Sequence, residues 1–419
     1  MRSALSADWV LPVDGPPLRD GFVAWEDGWI VEVGPGRADR HHAGAVIVPG
    51  IVNTHSHLEY AVYGGFADGR PFGEWLATHI ARKRTLAGDD MLAIARRGVV
   101  DSLAAGITTS ADFSFSGAAA RAAHEFGLRA IVYLEVFGSE ARLAQERFAA
   151  LRVGLVESEL VRIGVSPHAP YTCAAEVYRW CLSLGVPVGT HLAESAAENE
   201  WLEHGSGPLA AEPGLLVAPT GARAVATLAE LLCPELLCAH CVELDAAEIT
   251  LLARRDVPVA HCPRSNAMLG CGVAPRGELR GAGIRVGLGT DSPASTPSLD
   301  PWEEMRGAVQ AARARARRPD ALSAADALRL ATLDAARALG LDSELGSLAP
   351  GKRADLTVVS LAGSPYDPVE DPSVATVFGG AAAGVLETIV NGRTRYRQGE
   401  TAWHEVHSTA SAVRARMLG

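Results

Sequence analysis

Two histidines spaced two positions apart follow an apolar segment near the start of the chain. His55 and His57 come directly after residues 46–52, which we interpret as a short buried strand interrupted by Pro49-Gly50. Side chains two apart on a strand point to the same face, so the two imidazoles could bind one metal ion together. The alternative is a pair of polar residues in a loop, and the pair alone leaves both interpretations open.

Further histidines and one carboxylate occupy the same kind of position, directly after an apolar segment. Together with His55 and His57, they bring the number of histidines at such positions to six of the thirteen. The other members of this set are His168, His191, His240, His261 and Asp291. Single buried histidines are common in protein cores, but packing does not explain a set that follows successive strands. Imidazole nitrogens and carboxylates bind zinc, so the set predicts a metal site.

These residues can meet only if the elements between them bring the strand ends together. Eight short apolar segments alternate with helix-like stretches. They are 48–54, 107–112, 129–135, 161–166, 186–191, 236–240, 257–261 and 285–290. Eight βα units over roughly 250 residues are typical of a (β/α)8 TIM barrel, an α/β fold in which all strands end on one face. A doubly wound sheet is the alternative, but no glycine-rich phosphate-binding segment follows the first strand.

The two ends of the chain have a different pattern, with short strands and tight turns. Asp27-Gly28 and Asn391-Gly392 each separate two strand-like segments, as in two-residue β-hairpins. We therefore predict a small β-sandwich subdomain made from both chain ends, with the barrel inserted between them. The predicted ranges are 1–48 plus 345–405 for the subdomain, 49–344 for the barrel and 406–419 for a C-terminal helix.

Composition limits the kinds of partner and compartment. The formal charge of −11 argues against nucleic-acid binding, and the 48% of hydrophobic residues is enough for a sizeable core. We find no run of about 18 apolar residues, and this predicts no membrane association. We also find no signal-peptide pattern. The seven cysteines show no framework spacing, so reduced thiols in a cytoplasmic protein are expected. The expected partner is a small-molecule substrate, and a homodimer is left open.

Four motifs together resemble the amidohydrolase superfamily, in its mononuclear deaminase and chlorohydrolase branch. They are Pro49-Gly50-Ile51-Val52-Asn53-Thr54-His55-Ser56-His57, His191-Leu192-Ala193-Glu194, Ala239-His240-Cys241-Val242 and Leu288-Gly289-Thr290-Asp291-Ser292. The likeness covers nearly the whole chain, including residues 350–356 near its end. Each motif alone would be weak support, but the combination is highly specific. The resemblance implies a metal-dependent hydrolase.

The resemblance also implies one divalent metal ion per chain. Its ligands would be His55, His57, His191 and Asp291. Zn²⁺ is the first expectation, although three histidines and one aspartate also suit Fe²⁺. Binuclear members of the superfamily bridge two metals with a carbamylated lysine or a glutamate at the fourth strand. The chain has only two lysines, Lys83 and Lys352, and both are far from that strand in sequence, which favours a single metal.

Roles in the reaction follow from the same resemblance. Glu194 would act as the acid/base that carries a proton from water to a ring nitrogen of the substrate. His240 and Asp291 would stabilise the addition of water to the neighbouring carbon, and His168 would contact the substrate. Ammonia would then leave. General acid–base assistance of this kind is worth about 10²- to 10⁴-fold in rate.

Two further residues are candidates for contact with the substrate. Trp75 lies in the long segment after the first strand and could stack on a flat ring. The alternative for Trp75 is helix packing. Arg264 follows the seventh strand and could bind a substrate carboxylate through its guanidinium group. The alternative for Arg264 is an ion pair that orders its own loop.

The segments 261–266 and 191–202 look most similar to the aminodeoxyfutalosine deaminases of menaquinone biosynthesis. Their substrate is an adenine nucleoside that carries a benzoate, which an arginine would suit. Deamination of S-adenosylhomocysteine or methylthioadenosine, of guanine or of a triazine, and triazine dechlorination, stay open. An amide-bond hydrolase and an inactive binding protein are alternatives of other classes. The intact ligand set argues against the inactive protein.

Other motifs are weaker. His57-Leu58-Glu59 matches the H-x-E of zinc nucleobase deaminases, but the chain lacks the P-C-x-x-C that such enzymes require. Cys238 and Cys241 resemble half of a structural zinc site without a second C-x-x-C pair. A disulfide between Cys262 and Cys271 is disfavoured in a cytoplasmic protein.

Overall fold

A computed structural model describes residues 2–211 and 213–418, with the backbone alone at 213. Met1 and Gly419, which end two of the predicted ranges, lie outside the described residues. The strands are β1 Arg2–Val10, β2 Leu18–Glu26, β3 Trp29–Pro35, β4 His41–Pro49, β5 Ile51–Ser56, β6 Ile107–Ser114, β7 Arg129–Val136, β8 Val161–Pro167, β9 Val188–Leu192, β10 Leu236–His240, β11 Val259–His261, β12 Val286–Leu288, β13 Leu356–Ser360, β14 Val385–Val390 and β15 Arg393–Arg397. The helices are α1 Phe72–Lys83, α2 Gly88–Ala104, α3 Ala118–Phe126, α4 Ala141–Arg152, α5 Ala175–Ser183, α6 Ala196–His204, α7 Ala224–Thr227, α8 Ala246–Arg254, α9 Pro263–Met268, α10 Arg276–Gly281, α11 Pro301–Ala316, α12 Ala324–Leu330, α13 Leu333–Ala338, α14 Pro372–Gly379 and α15 His404–Leu418.

Strands β5 to β12 form a parallel sheet in which each strand is hydrogen-bonded to the next one along the chain. All residues of β6 and β7 are buried, as expected for parallel strands that are covered on both faces. The two ends of the sheet meet where a parallel bridge joins Ser56 to Asp291. There the amide of Asp291 donates to the carbonyl of His55 at 2.9 Å. The predicted TIM barrel is thereby confirmed.

One predicted strand, 48–54, is divided between two sheets. Its first part ends β4, where Pro49 pairs with Leu356 of the subdomain sheet, and its second part is β5 in the barrel. Gly50 lies at the crossing. A Cβ atom there would lie 2.1 Å from Oγ1 of Thr108, so only glycine allows this close passage. The interruption of the apolar run at Pro49-Gly50 marks this division in the sequence.

Both chain ends contribute to a second sheet, with the strand order β15-β14-β13-β4-β1-β2-β3. The two predicted hairpins are present, β2 with β3 and β14 with β15. Apolar side chains from both ends form a separate core, which includes Leu5, Val23, Ile47, Leu356 and Ile389. The prediction of a β subdomain built from both ends is confirmed. Its sheet contacts the barrel at Gly106, whose carbonyl accepts a hydrogen bond from Thr357 at 2.7 Å.

The last helix, α15, begins at His404, two residues before the predicted start at 406. It packs through the buried side chains of Ala410, Val413 and Met417. None of the described helices has the length and apolarity that crossing a membrane requires. All seven cysteines carry free thiols, including Cys262 and Cys271.

Candidate active site

A cavity at the carboxyl ends of the barrel strands collects most of the predicted functional residues. Its volume is about 320 Å³, which lies in the usual range for small-molecule sites. The predicted residues that line it are His57, Trp75, His168, His191, Glu194, His240 and Asp291. His55 is fully buried next to them, with its ring centroid 4.9 Å from that of His57 and 5.0 Å from that of His191. His261 does not line the cavity.

The ring nitrogens of His57 and His191 that face each other are both unprotonated. Nδ1 of His57 lies 2.8 Å from the carbonyl oxygen of Phe113, and Nδ1 of His191 lies 2.8 Å from that of His168. A carbonyl oxygen only accepts, so both Nδ1 atoms carry the proton. Burial lowers the pKa of both imidazoles, that of His57 to about 3, so the rings are neutral. Their two Nε2 atoms lie 3.3 Å apart, and each carries a lone pair. A cation bound by both atoms would stabilise this arrangement.

Distances between the other potential ligand atoms also fit a single ion. Nε2 of His55 and Nε2 of His57 lie 3.5 and 3.6 Å from Oδ1 of Asp291. Metal bonds of about 2.0–2.2 Å in a tetrahedral arrangement separate ligand atoms by about 3.3–3.6 Å. Both ring nitrogens of His55 are buried and have no hydrogen-bond partner among the described residues. The chemistry and spacing of these residues therefore fit a divalent metal.

Two hydroxyl groups orient the carboxylate of Asp291. Oγ of Ser265 donates to Oδ2 at 2.5 Å, and Oγ of Ser295 donates to the same oxygen at 2.7 Å. Oδ1 is left to face the histidines. Burial opposes ionisation, but the adjoining His55, with His240 and His57 nearby, holds the pKa of Asp291 well below its ordinary value. Neither serine was predicted, because no spacing rule connects them with Asp291.

Glu194 and His240 form a second group beside the metal-binding cluster. Nε2 of His240 lies 3.7 Å from Oε1 of Glu194, and one ligand atom from each of them lies within 4.8 Å of Asp291. Nδ1 of His240 donates to Oδ1 of Asn266 at 3.0 Å, which fixes the orientation of the ring. Burial raises the pKa of Glu194, with His240 acting in the opposite direction. A carboxyl group with a raised pKa can both take up and deliver a proton.

The backbone that carries Glu194 is held by a second buried carboxyl group. Glu198 accepts hydrogen bonds from the amides of Ala193 and Glu194 at 3.2 and 2.8 Å. Burial raises the pKa of Glu198 to about 8, and the two amides act in the opposite direction. Ser195 caps the helix α6 by accepting a hydrogen bond from the amide of Glu198. The Ser-x-x-Glu spacing is that of a capping box, but the carboxyl group of Glu198 binds the amides of Ala193 and Glu194 instead of the amide of Ser195.

His168 and Trp75 both line the cavity. The ring of His168 lies 4.7 Å from that of His191, and its Nδ1 is hydrogen-bonded to Oγ1 of Thr172 at 2.9 Å. Burial lowers the pKa of His168 to about 3, which leaves the imidazole neutral. Trp75 donates from Nε1 to the carbonyl of Ala294 at 3.0 Å, so its ring is fixed in orientation. A fixed indole ring at the cavity wall is available for stacking.

Arg264 does not line the cavity. Its guanidinium group pairs with Glu303 at 2.7 Å and with the buried Glu304 at 3.5 Å. It also donates to the carbonyl oxygens of Ser298 and Asp300, both at 3.3 Å. The position of Arg264 matches the loop-ordering ion pair that was the alternative to contact with a substrate carboxylate.

Three charged residues that were not predicted to lie in the site also line the cavity, and one of them is the exposed Arg84. Lys83 reaches it from the end of α1, and Glu135 reaches it from β7. A carboxylate oxygen of Glu135 lies within 4.8 Å of ring nitrogens of His57 and His191. Burial raises the pKa of Glu135 to about 7, while Lys83 acts in the opposite direction. Glu135 is the last residue of the predicted third strand, 129–135, so its position at a strand end could have revealed it.

A barrel whose strand ends carry a metal-binding cluster next to an acid/base pair has the plan of a metal-dependent hydrolase. The sequence profile described as "Amidohydrolase family" matches residues 46–395, and the chain belongs to this family. It is a hydrolase that acts on C–N bonds other than peptide bonds, of the cyclic-amidine deaminase type.

Several characterised proteins are similar to it over nearly their full length. A 5′-deoxyadenosine deaminase from Methanothermobacter thermautotrophicus is 34% identical, with 97% of both chains covered. A 5-methylthioadenosine/S-adenosylhomocysteine deaminase from Symbiobacterium thermophilum is 35% identical over 94% of this chain and 93% of that relative. The crystal structure of an adenosine deaminase from Xanthomonas campestris with bound zinc superposes with a TM-score of 0.87 at 28% identity, over 99% of this chain and 98% of that chain.

Proposed function

We propose that this protein deaminates an adenine-type nucleoside with a large 5′ substituent, and that aminodeoxyfutalosine is its substrate. The observation that carries the proposal is the grouping of Glu194, His240 and Asp291, with one ligand atom of each within 4.8 Å of the others. An acid/base pair beside a metal-binding cluster, in one cavity, is what hydrolytic removal of a ring amino group needs. Relatives that deaminate adenine nucleosides support the choice of ring.

The metal that we propose is a single Zn²⁺ ion, with Fe²⁺ as the alternative. It would be held by His55, His57, His191 and Asp291. Zinc in the adenosine deaminase from Xanthomonas campestris supports this choice, as do three nitrogen ligands with one carboxylate. When bound, such an ion lowers the pKa of water to about 7 and so makes hydroxide available at neutral pH.

The remaining steps belong to the side chains. Glu194 takes the proton that water loses and delivers it to the ring nitrogen next to the carbon under attack. Water oxygen bonds to that carbon, and the negative charge that develops is stabilised by His240. Glu194 then takes the remaining proton from the added hydroxyl group and passes it to the amino group. The C–O bond becomes a carbonyl, the C–N bond breaks, and ammonia leaves. Glu198 holds the backbone amide of Glu194 and so keeps its carboxyl group aimed at the reacting atoms.

The cavity wall supports a substrate with more than one flat ring. Aromatic side chains line it, and they are Tyr60, Phe72, Trp75, Phe115, Phe137 and Tyr171. Aminodeoxyfutalosine is an adenine nucleoside with an aromatic benzoate, and both rings can stack on such surfaces. Methylthioadenosine or S-adenosylhomocysteine is the second candidate, because relatives at 33–35% identity deaminate these compounds. We propose a cytoplasmic role in menaquinone biosynthesis on the first assignment.

An ammonia-release screen tests the proposal. The purified, zinc-loaded protein would be assayed with aminodeoxyfutalosine, methylthioadenosine, S-adenosylhomocysteine, 5′-deoxyadenosine, guanine and an aminotriazine. We expect the highest kcat/KM for aminodeoxyfutalosine. A higher kcat/KM for S-adenosylhomocysteine would reassign the substrate. Release of chloride or of a carboxylate in place of ammonia would contradict deamination. The Glu194→Gln variant, which keeps the size of the side chain, is the matched control for contaminating activity.

A further inference from the structure

Two positive charges line the cavity without an ion pair among the described residues, and they are the exposed Arg84 and the partly buried Lys83. Nζ of Lys83 lies 4.0 Å from the ring centroid of Phe115 and 4.6 Å from that of Tyr60. Among the described residues the ammonium group forms no ion pair and no hydrogen bond, although Glu135 lines the same cavity. An ammonium group between aromatic rings gains some cation–π energy, but it loses much of its hydration there. A negatively charged ligand would offset that loss.

We propose that Lys83 binds a carboxylate at the end of the substrate that is remote from the ring being deaminated. This inference rests on the proposed function and specifies the 5′ substituent as an anionic one. Lys83 thereby takes the role that the sequence analysis had considered for Arg264. Arg264 already contacts Glu303 and Glu304 outside the cavity. Lys83 reaches the cavity itself.

The surroundings of Lys83 favour an aromatic carboxylate in particular. Phe115, under Lys83, lies 6.2 Å from Phe137, and both rings line the cavity. The guanidinium of Arg147 lies 4.5 Å from the centroid of Phe115 and 5.2 Å from that of Phe137, which adds a further positive charge near the rings. A benzoate could therefore stack on the two phenylalanines while its carboxylate reaches Lys83.

The distance from the metal-binding cluster suits a nucleoside with a 5′ substituent. The ring of Phe137 lies 5.1 Å from that of His168, which in turn lies 4.7 Å from that of His191. The aromatic surface thus begins one side chain away from the cluster. An adenine ring at the cluster would leave its sugar near His168 and its 5′ substituent near Phe115 and Lys83.

The test compares substrates with and without a carboxylate on the Lys83→Met variant. Methionine keeps a similar length and removes the charge. We expect kcat/KM for aminodeoxyfutalosine to fall about 10- to 100-fold, mainly through KM, because a charge-assisted contact is lost. We expect kcat/KM for the uncharged 5′-deoxyadenosine to change less than about twofold. Lys83→Arg should restore most of the loss. Lys352→Met, at the only other lysine, is the control and should change neither value.

Equal losses for both substrates would overturn the inference, because they would show a structural role for Lys83. Unchanged values for both would also overturn it. Failure of the proposed function gives a different result, namely no ammonia from any nucleoside with the wild-type protein. In that case, calorimetric titration with 4-methylbenzoate still tests Lys83. Weaker binding to Lys83→Met than to wild type supports the anion site, and equal or absent binding refutes it.

Discussion

The two serine hydroxyl groups on Asp291 offer a direct test of how the metal-binding cluster is built. Ser265 and Ser295 both donate to Oδ2, at 2.5 and 2.7 Å, and so leave Oδ1 facing His55 and His57. These lengths are typical of hydrogen bonds from hydroxyl groups to charged carboxylates. Replacing either serine with alanine removes one such bond without adding volume. The carboxylate would then rotate more freely, and metal binding would have to restrict that rotation.

The magnitude follows from the shared acceptor. Partners of metal ligands typically contribute 10- to 100-fold in metal affinity when they are removed. Because Ser265 and Ser295 bind the same oxygen, the serine that remains in a single variant still holds Asp291. We therefore expect about a 10-fold loss of zinc affinity for each single variant and about 100-fold for the double variant.

The assay is competition for zinc between the protein and a chromophoric chelator at constant pH. Ser298→Ala is the matched control, because the hydroxyl of Ser298 binds Glu303 outside the cavity. The control should keep the wild-type affinity within about twofold. Wild-type affinity in the double variant, with its thermal stability unchanged, would refute the view that these hydroxyls orient Asp291 for the metal.

Three other predictions concern the acid/base group, the ion pair of Arg264 and a buried carboxylate of the subdomain. Glu194→Gln should lower kcat about 10²- to 10⁴-fold in ammonia-release assays while zinc binding and melting temperature stay unchanged, and a fully active variant would contradict its role. Arg264→Met should destabilise the fold by about 3 kcal/mol in denaturant titrations, because the buried Glu304 loses its partner, but should leave the preference for a carboxylate substrate as it is. A selective loss of that preference would return Arg264 to the binding site. Burial opposes ionisation of Glu387, but the nearby His42 and hydrogen bonds from Thr394 and Arg40 lower its pKa from 4.5 to about 2. Its charge therefore stabilises the folded state fully above pH 4.5 and loses this effect as the pH falls towards 2. The difference in unfolding free energy between wild type and Glu387→Gln should shrink over that range by up to about 3 kcal/mol, and a difference that does not depend on pH would refute the assignment.

The site was predicted from residues that directly follow successive strands, and a barrel brings such residues together. Parallel strands in sequential order must all end on the same face, so residues that follow successive strands approach one another. His57, His191 and Asp291 are far apart in the sequence and still meet in one cluster. His261 also lies at the end of a strand, but it does not line the cavity. A position at a strand end therefore predicts that a residue lies near the site, but not that it contacts the cavity.

Residues that reach the site from outside the strands followed no such rule. Lys83 comes from α1, and the direction of that helix depends on its packing rather than on its own sequence. Arg264 lies only three residues after His261, yet its side chain turns away towards Glu303 and Glu304 on α11. The two glutamates are about 40 positions further along the chain, and proximity in sequence gave no sign of this pairing.

By itself, the sequence determined the barrel, the two-ended subdomain and the set of imidazole and carboxylate groups, because strand periodicity and strand order fix where those groups must lie. The tertiary structure decided which atoms of the set face one another. The carbonyls of Phe113 and His168 bind the Nδ1 atoms of His57 and His191, so the Nε2 lone pairs of the two rings face each other. The tertiary structure also placed Lys83 at the cavity wall with no ion pair and no hydrogen bond among the described residues. Hydrogen-bond partners and charge pairing depend on contacts between distant segments, which no local pattern encodes.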